Sequence, residues 1–157
     1  MISESNFNKL AKQGYNRIPL MCEILADLDT PLSTYTKICN LKYSYLFESV
    51  EGGDKWGRYS IIGLPAKKII SVSGKKITIK ENNKCIEEYN TNDPLAEIEK
   101  IQQSYKVPQI ENMPRFNGGL VGYFGYETIK YIEPKLKKNE KEDPIGSPDI
   151  LLMVSDE

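Results

Sequence analysis

The sequence contains no histidine among its 157 residues. Histidine is the commonest general acid and base, the usual partner of a serine or cysteine nucleophile, and the commonest metal ligand in proteins. Its absence argues against most hydrolases and metalloenzymes. We therefore expect no cofactor and no metal site in this chain.

Cysteine is scarce as well. Cys22, Cys39 and Cys85 lie far apart in the sequence and form no Cys-x-x-Cys pair. An odd number of cysteines at such spacing suits neither a disulfide framework nor a zinc site. We expect reduced and mostly buried thiols.

The sequence also lacks an excess of charge and a long apolar run. Its 21 basic and 22 acidic residues leave a formal net charge of -1, so no global field attracts a nucleic acid or an anionic membrane. No basic leader begins the chain, and no apolar run approaches the roughly 20 residues that span a bilayer. We expect a cytoplasmic protein that binds neither nucleic acid nor membrane.

What the sequence does contain predicts one α+β domain. Helices are indicated over residues 5–13, where a Ser or Asn cap precedes an apolar stripe, and from Pro31 and Pro94, where Asp29-Thr30 and Asn92-Asp93 form a cap signal before each proline. A strand rich in Ile, Leu and Met, covered on both faces, is expected over 17–26.

The middle of the chain is β-rich, and turn residues separate its segments. We predict an antiparallel meander, followed later by a glycine-rich strand and a final apolar strand. The predicted strands cover residues 43–50, 58–64, 68–73, 76–80, 85–89, 116–126 and 149–155. Because the last strand is of core quality and stops within three residues of Glu157, we expect the natural chain to continue beyond it.

The strand that ends at Glu48 and Ser49 is the first candidate site. In a strand, Phe47 and Ser49 point one way and Glu48 the other. In one interpretation Glu48 pairs with Arg58 across a hairpin, and Ser49 satisfies the turn backbone. In the other, Glu48 and Ser49 receive the ammonium and carboxylate of a small amino acid. The residue types alone leave both interpretations open.

The second candidate is the glycine run over residues 118–127. It matches neither the dinucleotide fingerprint nor the phosphate-loop fingerprint. Glycines that alternate with bulky side chains in a strand favour close backbone approach or a bulge. We therefore predict a structural use for this run.

These motifs resemble those of the large subunit of anthranilate synthase (component I), over its amino-terminal region. Leu46-Phe47-Glu48-Ser49 is similar to a Leu-Leu-Glu-Ser element of that family. The resemblance extends in the same order to Thr30-Pro31-Leu32, Trp56-x-Arg58-Tyr59-Ser60-x-Ile62-Gly63, the glycine run and Pro148-Asp149-Ile150.

The resemblance implies that residues 1–157 form a tryptophan-regulatory domain without catalytic residues. It would be part of an α/β sandwich whose remainder lies downstream. Ser49 and Glu48 would be the polar contacts of the feedback inhibitor L-tryptophan, and Phe47 would line the slot for its indole ring. Arg58 is a further candidate contact.

The resemblance also implies partners. The full-length enzyme would convert chorismate and ammonia to anthranilate and pyruvate, with the ammonia supplied by a glutamine amidotransferase subunit (component II). The chain's own C-terminal chorismate-binding domain would hold Mg²⁺ and the other half of the tryptophan pocket, a Pro-Tyr-Met element that is absent here. The alternatives are the same portion of an aminodeoxychorismate, isochorismate or salicylate synthase, or a stand-alone module that binds a small amino acid.

Overall fold

A computed structural model describes residues 2–39, 41–48, 59–133, 135–136 and 143–157. It confirms the predicted α+β class, with antiparallel sheets and short helices. In chain order the elements are α1 (Glu4–Lys12), α2 (Pro31–Ile38), β1 (Tyr45–Glu48), β2 (Ser60–Gly63), β3 (Lys68–Ser73), β4 (Lys76–Glu81), β5 (Lys84–Asn90), α3 (Pro94–Ser104), β6 (Gly119–Phe124), a 3-10 turn (Tyr126–Thr128), α4 (Ile129–Ile132) and β7 (Ile150–Ser155).

The helices begin where local sequence places them. Helix α2 starts at Pro31 behind a capping box, in which the Thr30 hydroxyl accepts from the Ser33 amide at 3.1 Å. Helix α3 starts in the same way, because the Asp93 carboxylate accepts from the Ala96 amide at 3.0 Å. Each cap satisfies an amide that the first helical turn leaves unpaired. The predicted combination of a cap followed by proline is confirmed for both helices.

The meander predicted over residues 43–89 is confirmed for β3, β4 and β5, which pair in succession as hairpins. In the described part of the chain it does not include β1 and β2, which pair with each other, while the remaining five strands form a separate sheet in the order β5-β4-β3-β7-β6. Strand β7 lies between β3 and β6 because its run from Ile150 to Val154 is apolar on both faces, as a central strand requires.

The five-stranded sheet carries a core on each face. Helix α3 covers one face with Ile98. Because side chains alternate along a strand, Ile69, Val121 and Met153 lie on the opposite face, where Tyr45 of β1 packs against them. The two-stranded sheet is thereby held over the second face. The first core contains Ile70, Val72, Ile77, Ile79, Ile150, Leu152 and Val154.

Residues 17–26 are not a strand in this structure, which contradicts the prediction. Leu20, Ile24 and Leu25 are 65%, 80% and 86% exposed, so neither face of the segment is covered. The composition favours a strand, but no other strand in the described ranges pairs with it. A strand without a partner leaves its backbone groups unpaired.

The glycine run has the predicted structural use. Strand β6 pairs with β7 in register, with Gly122 opposite Leu152. A side chain at Gly122 would clash with the carbonyl oxygen of Leu151, and one at Gly118 would lie 2.9 Å from that of Ser155. The absence of side chains therefore permits the close approach of the two strands.

All three cysteines are free, as expected, but most of them are not buried. Cys39 alone is buried, and its thiol donates a hydrogen bond to the Gly63 carbonyl at 3.6 Å. Desolvation raises the pKa of the Cys39 thiol. Cys22 and Cys85 are exposed, as are the neighbouring residues of the segments that carry them.

Candidate functional site

The β1–β2 hairpin carries the described part of the predicted inhibitor site. Its register pairs Phe47 with Ile61 and Glu48 with Ser60. The structure thus places two of the four candidate residues, Phe47 and Glu48, at the C-terminal end of β1. The other two, Ser49 and Arg58, lie outside the described residues.

An aromatic pair forms the inner face of β1. Tyr45 and Phe47 share a face because they are two residues apart in a strand, and their ring centroids are 4.8 Å apart. Tyr45 is buried, its ring lies against Gly63, and its hydroxyl hydrogen-bonds to the Ser155 hydroxyl at 2.7 Å. Phe47 is 52% exposed. The face therefore passes from the core at Tyr45 to an accessible aromatic surface at Phe47.

Glu48 lies on the opposite face of β1 and is exposed, next to the half-buried Leu46. Within the described part of the chain, no basic side chain lies within ion-pair distance of its carboxylate. The predicted alternative, a pair with Arg58, involves a residue outside that part and stays a prediction. The carboxylate is accessible to a cationic group, as an acceptor of an ammonium must be.

A cavity of about 570 Å³ adjoins the hairpin, and the sequence did not indicate it. Tyr45 and Ile61 form one wall, and residues 18–21, 113–114 and 116–118 form others. Phe47 is not part of the lining, but it adjoins the cavity through its contact with the Tyr45 ring and its pairing with Ile61. No motif marks this cavity, because its walls come from segments that are distant in sequence.

A second cavity, of about 670 Å³, shares seven lining residues with the first, namely Ile18, Pro19, Asn117, Gly118, Ser155, Asp156 and Glu157. The Arg17 guanidinium lies 5.3 Å from the centroid of the Tyr105 ring and 3.5 Å from the Asp156 carboxylate. The Tyr105 hydroxyl is buried and has no hydrogen-bond partner among the described residues. Together the two cavities form a broad cleft between helix α1, residues 15–21 and the end of β7.

The described residues contain no group of three or more His, Cys, Asp or Glu side chains arranged to hold a metal ion. Among the same residues, the structure has no helix that combines the length and the apolar character needed to cross a membrane.

By fold and site, this is an α+β domain with a partly exposed aromatic pair on a two-stranded hairpin. No protein-family sequence model matches the chain. It is 52% identical over 155 residues to anthranilate synthase component 1 of Pseudomonas putida, which covers 99% of this chain and 31% of the relative. The same protein of Neisseria meningitidis serogroup B is 52% identical over 160 residues, or 100% of this chain and 32% of the relative.

A more distant relative, anthranilate synthase component 1 of Acetivibrio thermocellus, is 40% identical over 95% of this chain and 30% of its own length. The chain therefore spans about a third of the length of the relatives it matches. The resemblance to the amino-terminal region of anthranilate synthase component 1 is confirmed, at about 50% identity over the whole chain.

Proposed function

We propose that this chain is the amino-terminal, tryptophan-regulatory part of an anthranilate synthase component I and carries half of its feedback-inhibitor site. The observation that carries the proposal is the similarity of the whole chain to about a third of each of these relatives, together with an accessible aromatic and acidic hairpin at the predicted site. The protein would act in tryptophan biosynthesis in the cytoplasm.

In this proposal the chemistry belongs to the rest of the longer protein. That region would bind chorismate and Mg²⁺ and form anthranilate and pyruvate, using ammonia from a glutamine amidotransferase subunit, component II. The chain itself supplies no catalytic group. Its role is to support the catalytic region and to bind the inhibitor at their boundary.

The hairpin offers two of the three features that a bound tryptophan requires. An indole ring needs an aromatic or apolar surface, and Phe47 provides one that is half exposed and backed by Tyr45. An α-ammonium group needs a carboxylate, and Glu48 is exposed at the end of the same strand, on the face opposite Phe47. The third feature, donors for the α-carboxylate, is assigned by the resemblance to Ser49 and Arg58.

Inhibition through such a site is a coupling of free energies. Tryptophan would favour an arrangement of the two parts in which the catalytic region is less competent, and chorismate would favour the other arrangement. A coupling of about 1 to 3 kcal/mol, typical of allosteric proteins, corresponds to a change in affinity of roughly 5- to 150-fold.

The proposal is tested in a chimera in which this chain replaces the matched region of Pseudomonas putida component 1. We expect the chimera, with its glutaminase partner, to form anthranilate and to be inhibited by tryptophan. Glu48→Ala and Ser49→Phe should each raise the tryptophan concentration for half inhibition. Loss of a charge-assisted hydrogen bond, about 1.5 to 3 kcal/mol, predicts a rise of about 10- to 150-fold for Glu48→Ala.

The matched control is Glu87→Ala, which removes an exposed carboxylate from strand β5, away from the hairpin. Inhibition is expressed relative to the uninhibited rate of each variant, so that a change in turnover is not mistaken for a change in binding. An unchanged inhibition curve in both site variants would exclude the hairpin as the inhibitor site. A chimera that folds and forms no anthranilate would contradict the assignment to this enzyme.

A further inference from the structure

Residues 18–28, which we term the apolar segment, expose more large hydrophobic side chains than a solvated loop requires. Leu20, Ile24 and Leu25 are 65%, 80% and 86% exposed, and Leu28 is fully exposed. Each exposed leucine or isoleucine forgoes the hydrophobic stabilisation that its burial would contribute. A contiguous set of this kind marks an interaction site in a folded protein.

The backbone of the apolar segment is also unpaired. Within the described ranges, no amide of residues 18–28 donates to a backbone carbonyl, and among its carbonyls only that of Ala26 accepts from a backbone amide, that of Asp29 at 3.1 Å. The Glu23 carbonyl accepts only a weak hydrogen bond from the neighbouring Cys22 thiol, at 4.0 Å. A helix would pair its own amides without any partner, and the segment forms none here. Free amides and carbonyls beside apolar side chains are what an added β-strand uses to join a sheet.

Both ends of the segment are anchored. Before it, the Asn16 side chain donates to the Ser104 carbonyl and accepts from the Lys106 amide, each at 2.7 Å. After it, the capping box of α2 fixes Thr30. The segment is therefore a span held between two fixed points rather than a loose tail, which lowers the entropy lost when it binds.

A strand conformation would make both faces of the segment apolar. Because side chains alternate, Leu20, Ile24 and Leu28 would lie on one face, and Met21 and Leu25 on the other. A strand of this kind is stable only when it is covered on both sides. The acidic side chains Glu23 and Asp27 would require basic side chains opposite them.

We propose that the apolar segment is a docking surface for the rest of the longer protein, to which it adds as a β-strand. The occupant is the region that corresponds to the two thirds of the relatives outside the match, and its identity rests on the proposed function. A second copy of this chain fits less well. Between Ile18 and Leu28 there are two acids and no base, so self-pairing brings only like charges together.

The first test compares hydrogen exchange, measured by mass spectrometry, in the chain alone and in the chimera described above. Peptides that cover residues 20–26 should exchange rapidly in the chain alone. In the chimera the same amides should exchange at least about 100-fold more slowly, because pairing in a sheet protects them. Equally rapid exchange in both proteins would overturn the proposal.

The second test uses a pair of matched variants. Ile24→Asp places a charge on the proposed surface, whereas Ile145→Asp makes the same change at an isoleucine that is 84% exposed elsewhere. In the chimera, Ile24→Asp should restore rapid exchange over residues 20–26 and lower Tm, and Ile145→Asp should do neither. Equal effects of the two variants would contradict a specific docking surface.

The outcomes separate this proposal from the proposed function. A chimera that is active and inhibited by tryptophan, yet unprotected over residues 20–26, rejects the docking surface alone. A protected chimera that forms no anthranilate rejects the enzyme assignment alone. If the chain alone sediments as a dimer and Ile24→Asp makes it a monomer, the occupant is a second copy and the proposal is wrong.

Discussion

Tyr45 is the residue that joins the two sheets. Its ring packs with Ile69, Val121 and Met153 on the second face of the large sheet, and its hydroxyl meets the Ser155 hydroxyl at 2.7 Å. Both hydroxyl-bearing residues are buried. Because Phe47 stacks on the same ring, the position of Tyr45 also determines where the candidate site opens.

We expect Tyr45→Phe to lower the free energy of unfolding by about 1 to 2 kcal/mol, because it leaves the buried Ser155 hydroxyl without its partner. Adding Ser155→Ala should recover most of that loss, since removing both partners leaves no unsatisfied group. Urea unfolding of the three variants measures this, and Tyr126→Phe, at a tyrosine that is 91% exposed, is the control. Additive losses would show that the two hydroxyls do not act as a pair.

At the scale of the element, helix α2 shows how local chemistry fixes a boundary. The Asp29 carboxylate accepts from the Ser33 hydroxyl at 3.0 Å and pairs with Lys37. The hydrogen bond from Lys37, followed by that from Ser33, lowers the pKa of Asp29 below its ordinary value of 3.8. The charged carboxylate thus ties the residue before the cap to the last turn of the helix.

A group whose pKa is lowered by folding stabilises the protein while it is charged. The contribution of Asp29 is therefore complete above its ordinary pKa of 3.8 and is lost as the pH falls through the lower folded-state value. We expect Lys37→Gln to raise the pKa of Asp29 toward 3.8, as NMR titration of the carboxyl carbon would show. Lys12→Gln, at the end of α1, should leave it unchanged. An Asp29 that titrates at its ordinary value in the unsubstituted chain would refute the network.

Elements that depend on local chemistry could be predicted, and elements that depend on distant partners could not. The caps at Thr30 and Asp93 need only residues within three positions, and both predicted helix starts are confirmed. The place of β7 between β3 and β6 depends on pairing with residues about 80 and 30 positions earlier, which no local pattern encodes. The strand expected over 17–26 is absent for the same reason. Its apolar side chains would be buried in a strand only if other elements paired with it and covered both of its faces.

In the candidate site, too, the locally determined part could be predicted and the part that depends on distant segments could not. A strand over residues 43–50 was predicted, and the structure has β1 within it, over Tyr45–Glu48. The cavity beside Tyr45 was not predicted, since residues 18–21 reach it from a segment about 25 positions earlier in the chain. Long-range packing, rather than residue type, determines which side chains share a cavity.

At the scale of the whole molecule, the apolar segment and the candidate inhibitor site adjoin. Ile18, Pro19, Leu20 and Met21 line the cavity beside Tyr45 and Ile61, and the same residues begin the segment that we propose is covered by the rest of the protein. Anything that docks on the segment would therefore also close this cavity. Together, the two proposals predict that docking of the rest of the longer protein on the apolar segment completes the tryptophan pocket.

The chain alone should accordingly bind tryptophan weakly. Phe47 is half exposed and the cavity is open, so a ligand there keeps one side in water and buries too little surface for tight binding. Calorimetric titration should give a Kd above about 1 mM for the chain alone, and one at least about tenfold lower for the chimera. Ile24→Asp in the chimera should weaken binding although Ile24 does not line the cavity, because it opposes docking. Micromolar affinity in the chain alone would instead favour a stand-alone module that binds a small amino acid.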